Sequence, residues 1–128
     1  MSSESLHAPR ERLSRATITQ HQAVVSLIEE LEASDWYRQR ADDFEDGPLK
    51  EILLHNMREE IEHACMILEW LRRNVPDWSK ELDTYLYTTA PITEVEEAET
   101  GGGGGTGGES DEAPVKAKPH FTVGDLKG

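Results

Sequence analysis

At 128 residues the chain has room for one small domain, and a formal net charge of −13 makes nucleic acid a poor partner. It contains no run of about 18 apolar residues, so no helix is expected to span a membrane, and Met1 to Arg15 lacks the apolar centre of a signal peptide. Cys65 stands alone, which excludes an internal disulfide and suits a reducing cytoplasm.

Taken in chain order, residues 1–8 are polar and are expected to be disordered. Pro9 is a good first-turn residue, and a first helix is predicted from there to about Arg40. Leu13, Gln20, Val24, Leu27 and Leu31 form its apolar seam, with Ile28 beside it. The break falls between Asp42 and Pro48, where Gly47-Pro48 is the strongest turn signal. A second helix is predicted from about Leu49 to Arg73, stopped at Asn74-Val75-Pro76, with Arg72 and Arg73 favouring the end of its dipole. So short a loop makes the two helices antiparallel neighbours. Trp78 to Tyr87 reads as a short cap and Ile92 to Glu99 as a further short helix.

Composition then changes. The helical domain is expected over residues 9–97, followed by a glycine-rich linker over 98–118 and a tail over 119–128 where apolar side chains return. Gly101 to Gly108, interrupted by Thr106, cannot hold a helix or strand and reads as a flexible tether. The fold class is therefore all-α: an antiparallel two-helix hairpin with a short C-terminal helix and a disordered tail. Two helices cannot bury their apolar faces alone, so a homodimer forming a four-helix bundle is the natural solution.

The second helix carries one feature that its packing does not explain. Leu53, Met57, Ala64, Ile67 and Leu71 fall within roughly 60° of Glu60 at 100° per residue. A carboxylate in the middle of an apolar stripe is costly to bury unless something cationic meets it. His63 follows on the same side, giving a Glu-x-x-His metal half-site. Glu59 and Glu62 lie off the stripe and read as a solvated face, while Cys65, roughly 140° from Glu60, reads as a packing or surface residue and not a ligand.

A carboxylate-bridged di-iron site in a bundle needs a further Glu from a facing helix. Glu29, Glu30 and Glu32 are the candidates. Glu30 shares a stripe with Ser34 and Tyr37 and borders Leu27, so it is the chosen ligand, although its place at the edge of the face leaves a solvated role open. Two chains would supply two each of Glu30, Glu60 and His63, a donor set that suits Fe(II) and tolerates Fe(III). Tyr37, seven residues from Glu30, is placed to hydrogen-bond a ligand or supply an electron. His55 reads as a surface histidine and His21 as a packing one, and Trp70 and Tyr85 as core or interface.

With these residues in hand the chain resembles the encapsulated ferritins, half-length relatives of ferritins carried inside encapsulin shells. The resemblance runs from His21 to about Glu97 and rests on Glu29-Glu30-Leu31-Glu32-Ala33, Asp35-Trp36-Tyr37, Glu59-Glu60-x-Glu62-His63-Ala64 and Leu68-Glu69-Trp70-Leu71-Arg72-Arg73. It implies a ferroxidase centre formed across a dimer by Glu30, Glu60 and His63, with Tyr37 and Trp36 beside it. It also implies an outer acidic site at Glu29 and Glu32, next to Trp36, and a ring-shaped decamer built as a pentamer of dimers. The expected activity is oxidation of Fe(II) to Fe(III) by dioxygen, with mineral accumulating in the shell.

The tail agrees with this reading. Phe121-Thr122-Val123-Gly124-Asp125-Leu126 resembles an encapsulin cargo-loading peptide, with Phe121, Val123 and Leu126 as apolar anchors. Asp125 stands where such tails often carry a smaller polar residue. The chain is thus expected in the cytoplasm, inside an encapsulin nanocompartment. A non-catalytic iron-binding scaffold and a rubrerythrin-like peroxidase are the rival readings of the same ligands.

Overall fold

The computed structural model describes residues 5–101. A single 3₁₀ turn, Arg10–Arg12, precedes four helices: α1 (Arg15–Asp42), α2 (Pro48–Asn74), α3 (Pro76–Tyr85) and α4 (Ile92–Gly101). The fold is all-helical, as the periodicity predicts.

The first long helix starts later than Pro9. Leu13 is extended, and Ser14 caps α1 by accepting a hydrogen bond at Oγ from the Thr17 amide at 3.0 Å. A serine in this role is worth about 1 kcal/mol over alanine, which is why the helix begins there and Pro9 serves the 3₁₀ turn instead. The strap before it is not wholly solvated. Leu6, in the stretch expected to be disordered, and Leu13 are both half-buried.

Between α1 and α2 the chain turns at Asp43–Gly47. Gly47 adopts φ 157° and ψ −178°, a region open essentially to glycine, and Pro48 then supplies a preset φ at the first position of α2. α1 and α2 pack on each other as an antiparallel hairpin. Glu30 and Glu60 are equidistant along the chain from Glu45 in the turn, so helices of equal rise bring them level.

The core is thin. Among the described residues only Ala41, Ala64 and Leu71 are buried, and Leu53, Met57, Glu60 and Ile67 of the predicted α2 stripe are half-buried around them. Leu31, assigned to the α1 seam from its spacing, is instead 53% exposed. One neighbouring helix covers one side of α1, and Leu31 lies beyond it. Trp36, Ile52, Ile61, Met66 and Trp70 are likewise exposed apolar side chains of the hairpin.

Among the described residues, 77–101 belong to a second compact unit. α3 opens on Pro76 and takes in Trp78 to Tyr85 of the segment expected as a cap, leaving Leu86 and Tyr87 beyond it, and α4 extends past Glu99 to Gly101. The Tyr85 phenol is pushed above its ordinary range first by burial and then by Glu96, Glu81 and Glu99. Just beyond α3, Tyr87 has φ 64°, a conformation that glycine usually supplies after a helix. Among the described residues no helix is long and apolar enough to cross a membrane.

Candidate metal centre

Midway along the hairpin, one α1 side chain meets two from α2. One donor atom each from Glu30, Glu60 and His63 lies within 4.8 Å of the other two. His63 Nδ1 is 3.2 Å from Glu60 Oε1 and 3.6 Å from Glu30 Oε1. The three are half-buried, with side-chain exposures of 26% for Glu30, 23% for Glu60 and 41% for His63. They are sheltered enough to feel one another and open enough for an ion to enter.

The local electrostatics follow from crowding two carboxyls and an imidazole. Glu30 is pushed above the usual carboxylate range, chiefly by its hydrogen bond with Glu60 and then by burial. Glu60 is held below that range by the same hydrogen bond and by His63. His63 is raised by its hydrogen bond to Glu60 and by both carboxylates, against the opposing effect of burial. The two carboxyls are thus driven in opposite directions, and the imidazole is drawn towards its charged form. A divalent cation entering among these donors would compete with protons for them and relieve the repulsion between the carboxylates.

Not every predicted residue joins this cluster. Tyr37 is half-buried on the Glu30 side of α1, and the Arg40 guanidinium lies 5.3 Å from its ring centroid. Glu29, Glu32 and Trp36 are exposed, and among the described residues Glu29 and Glu32 belong to no three-donor group within a single chain. Phe121, Val123 and Leu126 lie outside the described residues. His55 is exposed and sits 3.7 Å from Glu59, His21 is half-buried, and Cys65 is exposed.

Sequence reasoning passed over two interactions. The first is the Arg40–Tyr37 stacking, for which the three-residue spacing was the available signal. The second is Glu69, gripped by Arg72 at 2.8 Å and Arg73 at 2.6 Å and held down to about 2 by those two guanidiniums. Its spacing to both arginines was also visible, but Arg72 and Arg73 were read only against the helix dipole.

An all-helical hairpin offering a Glu from one helix and Glu-x-x-His from the other defines a ferritin-like carboxylate–histidine protein. Comparison with known proteins agrees: residues 5–89 match the EncFtn-like family, and the chain belongs to it, among the encapsulated ferritins. It is 49% identical over 127 residues to the encapsulated ferritin-like protein of Rhodospirillum rubrum, covering 99% of this chain and 91% of that one. A ferritin-like protein of Thermotoga maritima is 47% identical over 106 residues, covering 83% of this chain and 93% of its own. The crystal structure of protein ne0167 from Nitrosomonas europaea superposes with a TM-score of 0.65 at 50% identity, over 69% of this chain and 97% of that one. Membership makes this a ferritin-like chain with an iron-related role.

Proposed function

We propose that the protein is a ferroxidase that oxidises Fe(II) with dioxygen at Glu30, Glu60 and His63. The observation that carries this reading is the approach of all three donors to within 4.8 Å. Carboxylates are hard ligands and imidazole a borderline one, so the set holds ferrous iron and does not reject the ferric product. Iron is here the substrate. Each ferrous ion gives up one electron, and dioxygen accepts the electrons.

The chain's own residues have separable tasks. Glu60 and His63, fixed by one turn of α2, set the spacing of two donors, while Glu30 closes the site from α1. A cation loading here competes with protons at Glu30 and His63, both of which hold a proton more readily than usual. Tyr37, one heptad from Glu30, is assigned to hydrogen bonding or electron supply at the same face. Glu29, Glu32 and Trp36 are assigned to an outer acidic site that captures iron before it reaches the centre.

A single chain offers too few donors for two irons. The exposed Leu31, Trp36, Ile52, Met66 and Trp70 support a homodimer in which paired hairpins cover apolar surface and pool their ligands as a four-helix bundle. Four carboxylates would then offset the charge of two ferrous ions. Ring assembly into a decamer, residence inside an encapsulin nanocompartment and shell docking through Phe121, Val123 and Leu126 complete the proposal. Residence in a shell is supported by the family and by the name of the Rhodospirillum rubrum relative, and the ring and the docking peptide by the resemblance of the sequence to the encapsulated ferritins.

The test is oxygen-dependent Fe(II) oxidation by the purified protein beside its Glu60→Ala variant and a protein-free blank. Rapid oxidation by the wild type alone is expected. Equal rates in all three would leave a metal-binding scaffold. Deleting residues 121–128 is expected to stop loading into encapsulin shells while oxidation continues, and unchanged loading would remove the docking role.

A further inference from the structure

The strap ahead of α1 lies along the helix face that carries Glu29. Leu6 and Arg10 from the strap and Ile18, His21, Val25 and Glu29 from α1 line one cavity of about 540 Å³. On α1 the positions Ile18, Val25, Glu29, Glu32 and Trp36 recur at helical spacing, so they form one continuous stripe. Its first half is apolar and shared with the strap. Its second half is acidic and ends on the exposed Trp36.

Arg10 lines two cavities, each shared with Ile18 and Gln22 of α1. It lines the cavity that contains Glu29, and it also lines an adjoining one of about 370 Å³ with Arg15. The stretch from Pro9 to Arg15 carries Arg10, Arg12 and Arg15 against Glu11, a local excess of positive charge on a chain whose net charge is −13. A cation attracted to Glu29 and Glu32 therefore meets positive charge on the strap side and none from the strap towards Trp36.

We propose that Arg10, carried on the N-terminal strap, weakens and directs cation binding at Glu29. The inference rests on the reading of Glu29 and Glu32 as an outer acidic site and assigns the strap the regulation of that site. Arg10 acts through the charge field and touches no reacting atom, so it is a positioning residue for the cation. Its effect keeps capture loose: iron held too tightly at Glu29 would not move on to Glu30. A unit charge a cavity's width from a multivalent cation changes its binding about fivefold at low ionic strength, and about twofold at physiological salt.

Terbium(III) luminescence sensitised by tryptophan tests this on the full-length chain, because the probe is redox-inert and Trp36 shares the stripe. The component that disappears in Glu29→Gln reports the outer carboxylates. In Arg10→Glu that component is expected to tighten at least fivefold at low salt, with the gain shrinking as salt rises, while Arg10→Lys keeps the wild-type affinity. Unchanged affinity in Arg10→Glu, or a gain that survives in the Arg10→Glu/Glu29→Gln double variant, would overturn the inference. The titration needs no iron oxidation, so a failed ferroxidase assay leaves its outcome readable.

Discussion

Two glutamates of α2 show how differently one helix can use a carboxylate. Glu69 is closed: Arg72 and Arg73 grip it at 2.8 and 2.6 Å and hold it to about 2. Glu60 is open: its neighbours are another carboxyl and a histidine, and the hydrogen bond with Glu30 lowers Glu60 while it raises Glu30. In the closed arrangement the chain supplies its own counter-charge, and the result is structure. In the open one negative charge outruns its internal partners, and the chain is left ready for a cation from outside.

The largest expected effect breaks the open cluster. Replacing Glu60 or His63 with Ala should lower Fe(II) oxidation by about a hundredfold or more, since even outer partners of metal ligands cost 10–100-fold. Glu69→Gln should leave the rate unchanged. Stopped-flow oxidation of the variants makes the comparison, and a large loss in Glu69→Gln would show that the two carboxylates are not separable.

Metal loading comes next. Anaerobic Fe(II) should stabilise the wild type by about 2.7 kcal/mol when free metal is a hundred times its dissociation constant. Glu60→Ala should lose that gain, and Glu69→Gln should keep it. Chelation should reverse it, and thermal melts with and without metal read all these outcomes. Because metal and protons compete for Glu30 and His63, its apparent affinity should fall as pH is lowered.

A third test perturbs the turn that brings Glu30 level with Glu60. Gly47→Ala places a side chain at φ 157°, where a built Cβ meets nothing closer than the Glu45 carbonyl at 4.0 Å. The cost is therefore conformational, about 1–3 kcal/mol, measurable by denaturant unfolding. If the turn also sets register, Fe(II) affinity should drop with it.

How much of this the sequence discloses depends on where each contact lies. The Glu60 stripe was legible because Leu53, Met57, Ala64, Ile67 and Leu71 surround a charged residue at helical period, and packing kept that period. Gly47-Pro48 was legible because both residues have restricted or special backbone geometry. The start of α1 was misplaced because Pro9 and Ser14 both carry helix-start signals, and only the Ser14 hydroxyl finds a free amide to cap. Leu31 was misassigned because periodicity gives direction around a helix but not how far one neighbour reaches. The groove joining Leu6 and Arg10 to Glu29 is a tertiary contact of a non-periodic strap, and no spacing rule encodes it.

The smallest expected effect lies at the two ends of the pH scale, where the closed and open groups have opposite signs. Glu69 is depressed below its ordinary 4.5 to about 2. Its contribution is present above 4.5 and is lost as pH falls through about 2. His63 is raised above its ordinary 6.5, so its contribution is full below that value and is lost as pH rises through the folded one. Without metal, Glu69→Gln should therefore flatten the acid side of the stability profile and His63→Gln the neutral-to-alkaline side. Both groups are open to solvent, so the differences should be small and should shrink with added salt. Thermal midpoints collected across pH at low and high salt would show it. An acid limb in Glu69→Gln as steep as the wild type's would mean that the clamp on Glu69 is not what fails first when the protein is acidified.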